Sequence, residues 1–216
     1  MANELFKLIN DGNPEKIRQI LIDDPKLANE GIPCDDKMFG KKGHPLHRLC
    51  DAVFVKKITD EQAIEIAKVL LEFGSDIDGY KLRGDNNTPL IAASSLHAER
   101  LGIFYIGQGA DIFYADKNDG ATALHWAAYC GMNKLVGALI NNGAKINQPD
   151  KSFNSTPMGW AIHVLISKDK GNLRNQLECI KILIKAGADP NLLNSESMQY
   201  LKSMAKDDKE LEQLIK

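Results

Sequence analysis

Asp119-Gly120-Ala121-Thr122-Ala123-Leu124-His125-Trp126-Ala127-Ala128-Tyr129-Cys130-Gly131-Met132, closed after a short gap by Leu139-Ile140-Asn141-Asn142-Gly143-Ala144, is the stretch that decides the fold. It reads as turn, short helix, tight turn, longer helix, glycine stop. Gly120 supplies a backbone angle that other residues reach only at a cost. Thr122 stands where an N-cap hydroxyl holds the first free amides of a helix. Leu124, Ala127 and Ala128 give an apolar face at helical spacing, with alanines small enough for close approach of another helix. Gly131 ends that helix. Val136, Leu139 and Ile140 form the buried stripe of the second, and Gly143 sits where a left-handed C-terminal cap belongs. One such unit cannot bury its own face, so it should recur.

Thr88-Pro89-Leu90, Thr122-Ala123-Leu124 and Thr156-Pro157-Met158 fall 34 residues apart each time. The closing signature recurs as Gly74-Ser75-Asp76, Gly109-Ala110-Asp111, Gly143-Ala144-Lys145 and Gly187-Ala188-Asp189, and His44-Pro45-Leu46-His47 opens an earlier copy. This pattern resembles the ankyrin repeat, whose units run near Asp-x-x-Gly-x-Thr-Pro-Leu-His-x-Ala-Ala and end their second helix Leu-Leu-x-x-Gly-Ala-Asp. The resemblance covers nearly the whole chain. It implies an all-α, ankyrin-repeat solenoid of stacked helix-turn-helix units with finger-like turns.

Composition sets few limits beyond that. Of 216 residues, 44% are hydrophobic and 26% charged, with a net charge of -2, which makes no general claim on nucleic acid or an anionic membrane. Met1 to Asn10 carry one lysine and no long apolar run, unlike a signal peptide. No stretch of 18 apolar residues is present, so no membrane span is expected. Cys34, Cys50, Cys130 and Cys179 are scattered, and reduced thiols in a cytoplasmic protein are the plain expectation.

The whole chain reads as a single domain of four central repeats and two caps. Residues 3–31 form the N-terminal cap, with Asn13 as an N-cap before Pro14 and Ile17, Ile20 and Leu21 facing inward. The repeats occupy 44–79, 84–113, 118–147 and 152–191, and 195–216 supplies a charged C-terminal cap. Residues 32–43 are a long connection rich in glycine and lysine. Pro45 to Leu70 spans 25 residues where Ala123 to Leu139 spans 16, so nine are extra. Pro157 to Leu183 spans 26, ten more than standard. Bulges are expected near Ala52–Lys57 and Ser167–Gln176. Thr59-Asp60-Glu61-Gln62 is a capping box that restarts the second helix of the first central repeat. Asp76, Asp111 and Asp189 are expected to make local turn bonds.

Candidate chemistry is thin. His44-x-x-His47-x-x-Cys50, with Cys34 upstream, offers two imidazoles and two thiols to zinc, but structural zinc normally shows tighter cysteine spacing. In the resemblance, His47 and His125 fill the histidine slot that knits neighbouring turns, while Ile91 and Gly159 replace it. His125 and Cys130, five apart on one short helix, lack a third orienting group for nucleophilic catalysis. His97 and His163 read as surface residues. No phosphate loop or serine elbow is present. Trp126 and Trp160, 34 apart, are either inter-repeat core or, with Tyr129, an anchor patch in the groove.

The resemblance implies a protein-binding concave face and no catalytic activity. Carrying over the family's variable positions gives finger residues Arg83, Asp85 and Asn87; Asn118, Asp119 and Ala121; Phe153, Asn154 and Ser155. At the ends of the first helices it gives Ser95 and Leu96; Tyr129 and Cys130; His163 and Val164. Trp126 and Trp160 join them as aromatic anchors. Lys134, Lys181 and Lys185 read as a solvated back. The expected partner of this adaptor, inhibitor or effector is another protein, bound by a monomer with no cofactor, no nucleic acid and no membrane. The rival expectation is an enzyme or zinc-dependent module built on the insertions around 34–57 and 167–176.

Overall fold

A computed structural model describes residues 2–32, 43–79, 87–167 and 173–215. The expected Arg83, Asp85 and Cys34 lie outside the described residues, as does the centre of the second insertion. The described residues are helical, with two isolated bridge pairs (Ile32–Gly43 and Ala115–Thr122) and no strand. The chain divides into two compact units, Met1–Asp111 and Ile112–Lys216.

The first unit holds α1 (Ala2–Asn10), α2 (Pro14–Asp23), α3 (Pro45–Phe54), α4 (Asp60–Glu72), α5 (Pro89–Ser95) and α6 (Glu99–Gly107). Each odd helix packs on the next even one, α1 on α3 and α3 on α5, and α2 on α4 and α4 on α6. Starts are set by side chains. Asn13 Oδ1 accepts from Lys16 N at 3.0 Å before Pro14. Thr59 and Gln62 close the expected capping box, at 3.0 Å for Thr59 N to Gln62 Oε1 and 3.3 Å for Gln62 N to Thr59 Oγ1. Leu46, Leu49, Ile66, Leu70, Leu90 and Leu101 are fully buried between the layers.

The second unit holds α7 (Ala123–Tyr129), α8 (Asn133–Asn141), α9 (Pro157–Ser167), α10 (Leu173–Lys185), α11 (Ser195–Asp207) and α12 (Lys209–Leu214). α7 packs on α9 and α9 on α11, with α8 on α10 and α10 on α12 behind them. Leu124, Leu135, Val136, Leu139, Ile162 and Leu183 are buried between these layers.

One device ends four of the second helices. Gly74, Gly109, Gly143 and Gly187 adopt φ of 81°, 85°, 90° and 101°. This left-handed turn aims two amides back at orphan carbonyls. Gly143 N reaches Ile140 O at 2.9 Å and Ala144 N reaches Leu139 O at 3.0 Å. A Cβ would make that backbone conformation costly, which is why glycine recurs there. Within each unit, side chains then tie consecutive repeats: Asn29 Nδ2 donates to Gly74 O at 2.7 Å, and Asn147 Nδ2 to Gly187 O at 3.0 Å. Asp76 and Asp189 make the expected local bonds, to Asp78 N at 3.2 Å and Asn191 N at 2.9 Å. Their own amides also donate across repeats to Asn29 Oδ1 at 2.6 Å and Asn147 Oδ1 at 2.9 Å.

Two expectations need correction. The extra residues of the first central repeat do not simply bulge, because Ala52–Phe54 continue α3, which runs 10 residues where α7 runs 7. In the last, Ser167 ends α9 and Leu173–Gln176 begin α10. Added backbone satisfies its own amides by lengthening a helix. Lys181 is not part of a solvated back. It is buried, with Nζ 2.7 Å from Asp208 Oδ2 and 2.9 Å from Glu210 Oε2 at the start of α12. Those carboxylates raise its pKa above the ordinary lysine value, Asp208 most, and the three groups pin the last helix to α10.

Candidate functional site

The second unit carries a cavity of about 450 Å³ walled by Trp126 and Tyr129 from α7, Phe153 and Ser155 from the preceding finger, and Gly159, Trp160, His163 and Ile166 from α9. Asn194, Glu196 and Ser197 at the start of α11 complete it. Helical geometry explains the grouping. Trp126 and Tyr129 are three apart and share a face of α7, and Trp160 and His163 repeat that pair on α9.

The aromatic rings stand at right angles. Trp126 and Trp160 have centroids 5.1 Å apart with planes at 80°, Trp126 and Tyr129 6.0 Å at 75°, and Tyr129 and Trp160 5.9 Å at 76°. Phe153 meets Trp160 at 6.3 Å and 74°. Trp160 is 9% exposed, whereas Trp126 and Tyr129 are half-buried and Phe153 is 72% exposed. The tryptophans are therefore neither pure core nor free surface.

The finger is held by a carboxylate. Asp150 Oδ1 accepts from Phe153 N at 2.6 Å, and Oδ2 from Ser155 N at 3.1 Å and from Trp160 Nε1 at 2.9 Å. Burial alone would raise the Asp150 carboxyl, but the Phe153 amide, the Trp160 indole and the Ser155 amide together hold it below the ordinary range. Asp116 organises the preceding finger alike, accepting from Asn118 N at 2.8 Å, Asp119 N at 3.0 Å and Ala121 N at 3.1 Å. Asp116 and Asp150 lie 34 residues apart, a repeat signal that could have revealed both.

His125 is structural. Its Nδ1 accepts from Thr122 N at 3.1 Å, which leaves the proton on Nε2 to reach Ser155 O at 3.2 Å. Burial drives its pKa down to about 4, so the ring is neutral at pH 7. In the next repeat Gly159 fills that slot. It needs no unusual backbone angle there, but a Cβ would collide with Ser155 Oγ. Gly159 lines the cavity with backbone alone.

Of the expected contact residues, Trp126, Tyr129, Phe153, Ser155, Trp160 and His163 converge on this cavity. Asn118 and Asn154 are exposed at finger turns, Asn154 with φ of 49°, and Asp119 is half-buried, its Oδ1 accepting from Ser152 Oγ at 2.7 Å. Ala121 and Val164 are buried and have no surface to offer. Cys130 is half-buried outside the cavity, its thiol raised by burial to about 11. Asn87, Ser95 and Leu96 belong to the first unit, Asn87 exposed and the others half-buried. Glu196 and Asn194 arrive through the packing of α11 on α9.

Of the His44, His47 and Cys50 group, His44 and Cys50 are bonded within the fold and His47 is buried. His44 caps α3, Nδ1 accepting from Leu46 N at 3.3 Å while Nε2 lies 3.1 Å from Asn29 Oδ1. His47 is buried beside the Asn87 backbone without a well-formed hydrogen bond to either nitrogen, and burial lowers its pKa to about 4. Cys50 is buried, its Sγ 3.5 Å from Leu46 O, and burial raises the thiol well above its ordinary value, away from the thiolate a metal requires.

The family model for ankyrin repeats (three copies) matches residues 49–150 and 97–194. The chain belongs to the ankyrin repeat family. Among solved structures, an ankyrin repeat domain from Acinetobacter baumannii AYE superposes with a TM-score of 0.69 at 23% identity, covering 100% of this chain and 97% of that one. No curated protein matches significantly. Ankyrin repeats generally serve as protein–protein interaction modules. No described helix is long and apolar enough to cross a membrane.

Proposed function

We propose that this chain is a protein-binding module of the adaptor, inhibitor or effector type, without catalytic activity, and that its contact surface is the aromatic cavity of the second unit with the adjoining finger tips. The observation that carries this reading is convergence: Trp126, Tyr129, Phe153 and Trp160 wall one open cavity, with Asn154 exposed between the lining residues Phe153 and Ser155. Tryptophan and tyrosine bury large area at small entropy cost and dominate interface energetics. Burial sets the state of the nucleophile and base candidates. His47 and His125 are neutral and buried, and the thiols of Cys50 and Cys130 are held protonated by burial. Four cysteines scattered along the chain without close pairs suit a reducing, cytoplasmic setting.

The test is affinity purification from the native source with the wild-type chain and Tyr129→Ala side by side, quantified by mass spectrometry. A partner retained by wild type and depleted with Tyr129→Ala supports the reading. Equal retention by both places the interface elsewhere.

A further inference from the structure

We infer that the cavity recognises the side chain of an arginine in an extended segment of its protein partner. This rests on the protein-binding reading above and names the chemistry that fills its site. Three observations lead to it. First, Trp126, Tyr129 and Trp160 form a corner of three rings, each pair with centroids 5.1–6.0 Å apart and planes at 75–80°. Aromatic faces carry negative potential and attract cations, tryptophan most strongly. Second, the Trp160 indole N–H is already given to Asp150 Oδ2 at 2.9 Å, a carboxylate at the edge of the ring that polarises electron density toward its faces. Third, among the described residues that line the cavity, Glu196 is the one carboxylate and none is a lysine or arginine.

A site with aromatic walls and one exposed carboxylate complements a cation and repels an anion. An acid in the first turn of α11 would suit that helix wherever it pointed, but this one lines the cavity. Arginine fits better than lysine. Its planar, weakly hydrated guanidinium stacks on a ring while its edge N–H groups reach a carboxylate, whereas an ammonium is compact and strongly hydrated. A volume of about 450 Å³ leaves room for the side chain and a stretch of its backbone. Gly159, in the slot that His125 fills one repeat earlier, presents only backbone to that volume.

The experiment is selection of a random peptide library on the full chain, with the same selection on Tyr129→Ala, followed by titration of the best synthetic peptides. The chain has two tryptophans and both line the cavity, so intrinsic fluorescence reports this site directly. The expected result is a set of binders lost in Tyr129→Ala that share arginine at one position. Replacing that arginine by citrulline, its neutral isostere, should weaken binding about three- to thirtyfold. Glu196→Gln should bring the arginine and citrulline peptides toward parity. Binders lost in Tyr129→Ala but indifferent to citrulline, or to Glu196→Gln, overturn the arginine assignment and leave the interface standing. Binders that survive Tyr129→Ala overturn the interface and the assignment with it. A library without binders overturns the assignment.

Discussion

The first helices of the two units use the same repeat positions for opposite chemistry. In α3, the positions equivalent to Trp126 and Tyr129 hold Arg48 and Asp51, which form an ion pair at 2.5 Å with Arg48 buried. In α7 and α9 they hold Trp126 with Tyr129 and Trp160 with His163. The histidine slot differs as well: His125 is bonded at both nitrogens, whereas His47 lies buried with neither well bonded. Backbone and leucine core are shared, so the difference shows that the repeat prescribes a scaffold while a few outward or slot positions choose between closing a surface and opening a cavity.

The largest expected effect tests what the units share. Leu46 and Leu124 occupy one slot and are 0% and 1% exposed. Leu46→Asp and Leu124→Asp should each cost several kcal/mol, against a total near 5–15, and unfold the unit that contains them, read by circular dichroism and hydrogen exchange. A near-wild-type melt for either would show that its slot is not core.

The next sharpens the histidine contrast. His125→Ala removes two hydrogen bonds and buried ring area and should cost about 2–4 kcal/mol. His47→Leu, which deletes poorly satisfied buried nitrogens, should be neutral or stabilising in chemical denaturation. The same residues predict a pH dependence. Both have folded pKa values of about 4, below the ordinary 6.5, so the unfolded chain takes up their protons first. Their contribution is intact above pH 6.5 and is lost as pH falls toward 4. Stability should therefore fall across that window, and less steeply in either variant. An unchanged slope would show that the folded rings do not stay neutral.

Smaller effects separate surface from scaffold. Tyr129→Ala should weaken partner binding by about 1–3 kcal/mol with little change in melting temperature. Lys181→Ala should cost about 1 kcal/mol by releasing α12 from α10, whereas exposed Lys134→Ala should do almost nothing. Equal, negligible effects from both lysine variants would return Lys181 to solvent.

Much of the scaffold was legible in sequence because local rules wrote it. Proline after an N-cap, Thr59 with Gln62, and glycine after a second helix act within four residues, and the 34-residue period reveals which faces must meet. The same period placed Trp126 and Trp160 side by side and could have marked Asp116 and Asp150. Lys181 misled because helical spacing says which face a residue occupies, not what later packs on it. Its partners Asp208 and Glu210 arrive only when α12 folds back on α10.

What the sequence determined by itself is the fold, since each repeat carries its own starts, stops and apolar stripe and buries that stripe only against a copy of itself. What only the tertiary structure decided is the cavity. Its lining combines backbone at Gly159, rings set at right angles by their neighbours, and Glu196 carried in by α11. None of these distances is local in sequence, and the physical reason is that packing between helices, not propensity within them, sets where side chains from separate repeats converge.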